Sequence, residues 1–115
     1  MPSPDLQRYL GLFVSESTDK LQKLGQGLVR LEAAGRGEEP LAPIVDEMFR
    51  HAHSVKGMSA SMELDGIKDI AHRAEGLLDH FRRTGAALDP ASVDLLLAAV
   101  DAMSGMVERS GAGAN

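Results

Sequence analysis

Apolar residues recur three and four positions apart through four separate stretches of this chain, and proline- and glycine-marked breaks divide them. An α-helix brings such positions onto one face, whereas a half-buried strand needs strict alternation, which no stretch shows. The first stretch carries Leu6, Leu10, Phe13, Ser17, Leu21, Leu24, Leu28 and Leu31. Ser3-Pro4 opens it as a cap followed by proline at the first helical position, and the residues from Gly35 to Pro40 break it. The second is expected from 43 to about 60, with Ile44, Met48, Ala52, Val55 and Met58 or Ser59 facing inward. The third buries Ile67, Ile70, Ala71, Ala74, Leu77, Leu78 and Phe81 and stops at Thr84-Gly85. Asp89-Pro90 restarts the chain, and Val93, Leu96, Leu97, Val100, Met103 and Val107 form the inner face of the fourth. Connections this short force antiparallel neighbours. The expected fold is therefore all-α, an up-down-up-down four-helix bundle over residues 1–110, with 111–115 as a flexible tail.

Composition limits what fills this bundle and what it binds. A chain of 115 residues with 43% hydrophobic content buries enough surface for one independent domain. Aromatics are only 3%, so aliphatic side chains and the six methionines must fill the core. Gly25 and Gly27 interrupt the first helix at ~1 kcal/mol each relative to alanine. The net charge of -5 argues against a nucleic-acid backbone as ligand, which calls for a basic stripe. No cysteine is available for a disulfide or a thiolate metal site. The start, Met1-Pro2-Ser3-Pro4-Asp5, lacks the basic and apolar regions of a secretory signal. The longest apolar run, 95–100 between Asp94 and Asp101, is too short to span a bilayer. A cytoplasmic protein with neither nucleic acid nor membrane insertion is expected.

The chemistry gathers where the second and third helices would face each other. His53 and His72 are equidistant from a point between Met62 and Glu63, and His53 and Glu75 are equidistant from Leu64. A turn near 62–65 therefore returns both residues to the level of His53. His72 and Glu75, three apart, share one helix face. Phe49, Lys56, Gly57 and Ala60 flank His53 on its own helix. An unshifted imidazole, with a pKa near ~6.5, offers a lone pair at neutral pH. A carboxylate such as Glu75 accepting from Nδ1–H fixes the tautomer and leaves Nε2 free to attack phosphorus. Lys56 supplies charge to the oxygens of an attached phosphoryl group. His72 is an auxiliary imidazole. Gly57 removes a side chain where another protein must approach, with Phe49 and Ala60 on the same contact face.

Plainer readings stand beside these. A lone helical histidine is ordinarily a surface group, Lys56 a solvated charge and Gly57 a packing residue. Glu75 would then pair with Lys68, Arg82 or nothing, at ~0–1 kcal/mol. His51 points to another face, and His80 lies two turns from His72, so both read as structural. Two other functions use the same helices. One is a non-catalytic docking or dimerisation bundle. The other is a metal-binding bundle built on the four histidines, for which the spacing is poor.

The stretch Phe49-Arg50-His51-Ala52-His53-Ser54-Val55-Lys56-Gly57 resembles the phosphoacceptor segment of histidine-containing phosphotransfer (HPt) domains. More narrowly, it is similar to the N-terminal domain of chemotaxis-type histidine kinases, the CheA family. That pattern is His-Ser-aliphatic-Lys-Gly, with a His and a Glu at offsets of nineteen and twenty-two, which land on His72 and Glu75. The likeness extends over about 5–109 and includes the acidic Glu16 and Asp19. It departs after Gly57, where Met58-Ser59-Ala60-Ser61-Met62 replaces a glycine-rich stretch. The resemblance implies a phosphoryl carrier in a two-component, chemotaxis-type phosphorelay. Its partners would be an ATP-binding kinase domain of CheA type, in cis or in trans, and a CheY-like response-regulator receiver. No phosphate-cradling glycine loop or kinase-type motif occurs here. The domain would thus hold no cofactor itself, with ATP on the kinase domain and Mg2+ on the receiver. The parent protein would be a protein-histidine kinase.

Overall fold

A computed structural model describes residues 3–112. Four helices follow in order: α1 Pro4–Gly35, α2 Leu41–Ser61, α3 Asp65–Thr84 and α4 Pro90–Ala112. Ser3 caps α1 as its sequence predicts, the Oγ accepting from the Leu6 N–H at 3.1 Å. Asp89 does the same for α4, its Oδ1 accepting from the Ser92 N–H at 2.7 Å. At 1.5 Å per residue α1 is ~48 Å long, and it sets the long dimension of a 51 × 21 × 20 Å molecule. Helix α2 begins two residues before its expected start. Pro40 supplies the last extended residue, and Pro43 then falls in the first turn, where an N–H has no intrahelical partner to lose.

The α2–α3 turn sets the register on which the site depends. Helix α1 ends with Gly37 in the left-handed region (φ 78). There the Gly37 N–H donates to the Ala34 carbonyl at 3.0 Å and the Glu38 N–H to the Ala33 carbonyl at 2.9 Å. Helix α2 ends in the same paired-bond motif, but its left-handed residue is Glu63 (φ 58). The Glu63 N–H donates to the Ala60 carbonyl at 3.1 Å and the Leu64 N–H to the Ser59 carbonyl at 2.9 Å. Leu64 then packs against the core and anchors the turn.

Around the bundle each helix packs on its sequence neighbours, and α4 closes onto α1. This is the up-down-up-down arrangement. Leu24, Ile44, Met48, Val55, Ile67, Leu78 and Met103 are fully buried at its centre. Ser59, rather than Met58, takes the inward position near the end of α2 and donates to the Val55 carbonyl. Gly27 is a contact residue: a Cβ there would lie 2.6 Å from Met48 Cγ, so α1 and α2 approach closely at this level. Gly25 has open space beside it, and nothing in the packing requires it.

Three expectations are corrected. Leu6 is 46% exposed, because it lies on an open groove between the start of α1 and the end of α2 instead of in the core. Leu97 is 43% exposed, because Leu96, one residue earlier, points to the core and the next position turns ~100° away. The expected tail begins too early. Helix α4 continues through Ala112, with Gly111 against the Val14 side chain and the Ser110 Oγ donating to the Met106 carbonyl at 2.8 Å. Residues 113–115 of that tail lie outside the described residues. By length and composition alone α4 is long and apolar enough to cross a bilayer, a test that core helices also pass. In this fold it contributes Leu96, Met103 and Val107 to the core.

Candidate functional site

The antiparallel α2–α3 pair brings His53 and Glu75 together. His53 Nδ1 lies 2.8 Å from Glu75 Oε2, and Lys56 Nζ donates to Glu75 Oε1 at 2.9 Å. One carboxylate thus spans both residues of α2, using one oxygen for each. The three side chains form a gradient: Glu75 is 15% exposed, Lys56 25% and His53 63%. Burial works to raise the Glu75 carboxyl pKa, but hydrogen bonds from Lys56 and His53 outweigh it and hold the group below the usual carboxylate value. Glu75 is therefore an anion at neutral pH. With Nδ1–H donating to it, the neutral imidazole keeps its lone pair on Nε2.

A second set of contacts holds the imidazole from the side. The Phe49 ring, one turn earlier on α2, stacks on His53 with centroids 6.2 Å apart and planes 19° from parallel. Arg82 of α3 places its guanidinium carbon 3.9 Å from the Phe49 ring centroid. Its Nη2 donates to Asp79 Oδ1 at 2.8 Å, and its Nη1 lies 3.6 Å from Asp46 Oδ1. Asp46 also pairs with Arg50, which chiefly holds its carboxyl below the usual range, with Arg82 adding to the effect.

The flank of α2 beyond His53 is open. Gly57 and Ala60 are exposed, and no atom lies within 4 Å of where a Gly57 Cβ would be. A groove of about 530 Å³ lies between the start of α1 and the end of α2, among Leu6, Tyr9, Leu12, Met58 and Met62. His53, Lys56 and Glu75 do not line it. The imidazole stands on open surface.

Of the four residues expected to share a patch, His53, Lys56 and Glu75 are bonded together. His72 is exposed on α3, three residues before Glu75, and no hydrogen bond or ion pair joins it to them. Lys68 pairs with Asp65 and Arg82 with Asp79 and Asp46, so neither takes Glu75. His51 is half-buried; burial, then Lys20 and Lys23, lower its pKa. His80 packs edge-on against Phe81. Among the described residues no group of three or more His, Asp or Glu is placed to hold a metal ion.

Sequence reasoning missed two features, the Lys56–Glu75 bond and the Arg82–Phe49 contact. A signal for the second was available. Asp46 lies seven residues before His53 and Arg82 seven after Glu75, so the register that joins one pair joins the other two turns away.

The chain matches the family described as Hpt domain over residues 8–106. Over 85% of its length it is 34% identical to the chemotaxis protein CheA of Listeria monocytogenes, of which the match spans 15%. The CheA phosphotransferase domain from Thermotoga maritima superposes with a TM-score of 0.80 at 30% identity, covering 94% of this chain and 97% of that one. The phosphorylated P1 domain of CheA3 from R. sphaeroides, solved in complex with CheY6, gives a TM-score of 0.83 at 28% identity over 93% and 80%. With the fold, the matched span and these relatives in agreement, the chain belongs to the Hpt domain family and is most like the phosphotransfer domain of CheA.

Proposed function

We propose that His53 is the residue through which this domain carries a phosphoryl group. The observation that carries the reading is the 2.8 Å contact between His53 Nδ1 and Glu75 on an imidazole that is otherwise exposed. Nε2 attacks the γ-phosphorus of ATP held on a CheA-type kinase domain, in cis or in trans. The P–N bond forms as the bond to ADP breaks, and Glu75 stabilises the positive charge that develops on the imidazole. An aspartate of a CheY-like receiver then attacks the same phosphorus, and the P–N bond breaks to return a neutral imidazole. The receiver supplies Mg2+ for that step. That the similar CheA3 domain was solved with CheY6 supports this class of partner.

The remaining residues take their roles from place. Lys56, one turn from His53 and held by Glu75, lends positive charge to the phosphoryl oxygens once they arrive. His72 is an auxiliary imidazole at the edge of the patch. Gly57 and Ala60 leave the approach to phosphorus clear, and Phe49 adds an apolar contact. As a CheA-like soluble domain it works in the cytoplasm.

Labelling tests the assignment directly. A CheA-type kinase core with ATP should label the wild type and His51→Gln, and leave His53→Gln unlabelled, the label being acid-labile and base-stable. Label retained on a folded His53→Gln would overturn it in favour of another residue. No label on any form would favour a docking bundle.

A further inference from the structure

Arg82 takes no part in the chemistry above, yet a single aromatic ring ties it to His53. The hydrogen bond to Glu75 fixes one atom of an imidazole that is 63% exposed. It leaves the ring free to swing about the Nδ1–carboxylate line, or to turn over and offer Nε2 to Glu75 instead. The Phe49 ring, 19° from parallel, is the flat surface that opposes both motions. Its hold is only as firm as its own position. That position is set by the Arg82 guanidinium, 3.9 Å from the ring centroid, where a cation is drawn to the negative face of the π system. Asp79 at 2.8 Å and Asp46 at 3.6 Å hold the guanidinium in turn, one from each helix.

We propose that Arg82 is a positioning residue for His53: by clamping the Phe49 ring it keeps the imidazole in the orientation that has Nδ1 on Glu75 and Nε2 outward. A planar fork is needed, because the same group must lie over an aromatic face while pairing with two carboxylates. A lysine would keep the charge and lose part of that geometry. The proposal rests on the reading of His53 as phosphoacceptor and names a residue that tunes it from the side.

The test uses the whole chain and two readouts. The first is 15N-edited NMR of the His53 ring nitrogens in alkaline solution. Wild type should show a neutral ring protonated at Nδ1, and Arg82→Gln a mixture of tautomers. The second is the rate of phosphorylation by a CheA-type kinase core. Arg82→Gln should lower the maximal rate roughly three- to ten-fold, the scale of a nucleophile present but misoriented, with KM for the domain within about twofold of wild type. Arg82→Lys should recover part of both. Phe49→Leu, which removes the stack but leaves the Arg82 ion pairs, should reproduce the tautomer mixture, and it decides the matter if Arg82→Gln loses helicity. A wild-type tautomer pattern in Phe49→Leu, or in folded Arg82→Gln, overturns the proposal. So does a loss expressed in KM alone, which would place Arg82 on a docking surface. The NMR readout needs no kinase, so failure here is distinct from failure of the His53 assignment, which the His53→Gln labelling decides.

Discussion

Two grooves flank α3, and they are built to opposite specifications. On the α2 side charged and aromatic groups cross at two levels, Lys56 and His53 on Glu75, then Phe49 and Asp46 on Arg82. On the α4 side Ile70, Ala74 and Leu77 meet Leu96, Ala99 and Ala102 around an apolar groove of about 400 Å³. Among the described residues no ion pair crosses it. The apolar side needs only volume, and packing of that kind tolerates exchange among side chains of similar size. The polar side needs particular atoms within hydrogen-bond reach. One groove holds the helix in place; the other uses that fixed helix to hold an imidazole.

The largest effects should separate along this line. Leu96→Ala, at a buried α4 position, should cost about 2–5 kcal/mol in a urea or thermal melt. Its folded fraction should be phosphorylated at the wild-type rate. Glu75→Ala should reverse the pattern. It should cost much less stability than Leu96→Ala, while kinase-driven phosphorylation slows roughly ten-fold or more, a barrier increase of ~1.4 kcal/mol. Equal stability losses with unchanged phosphorylation in both variants would erase the distinction between the grooves.

Acid should act on the α2 side selectively. The Glu75 carboxyl titrates below its ordinary value in the folded chain, so it contributes stability that is fully present above about pH 4.5 and lost as pH falls through the lowered folded value. Glu75→Gln removes that contribution at all pH. Its stability deficit against wild type should therefore be visible at neutral pH and shrink toward zero in acid. Leu96→Ala should carry a constant deficit across the same range. A Glu75→Gln deficit that does not change with pH would mean that the carboxylate is not held as described.

The smallest effect belongs to the turn that sets the register between α2 and α3. Glu63 occupies a left-handed conformation that costs a side-chain-bearing residue ~1–2 kcal/mol. Glycine relieves that strain but gives up entropy on folding, so Glu63→Gly should gain a net ~0.5–1 kcal/mol. The His53 tautomer should be unaltered. A lower melting temperature would show that the Glu63 side chain holds the turn by contacts of its own.

Much of this was legible without coordinates. Spacings of three and four, Ser3-Pro4, Asp89-Pro90 and Thr84-Gly85 locate the helices because capping and periodicity are local. The midpoint argument for His53 and Glu75 held because a short turn between antiparallel helices leaves the register little freedom. It erred at Leu6 and Leu97. Periodicity describes which face of a helix is apolar, not where its neighbours leave a groove open or which of two adjacent leucines they cover. Glycine patterns misled in a related way: Gly27 reads as a weak point and is the place where Met48 enters, while the turn uses Glu63 where a glycine was the natural choice.

By itself, then, the sequence determined four amphipathic helices, their antiparallel order and the level at which His53 and Glu75 meet. These depend on backbone propensity and on counting residues from a turn. Tertiary structure alone decided that one Glu75 carboxylate serves both His53 and Lys56, that His72 stands apart, and that Arg82 reaches His53 through Phe49. The physical reason is range. A helix face is set by periodicity over many residues, whereas a 2.8 Å contact between side chains depends on the separation of two backbones and on the rotamers that packing leaves open.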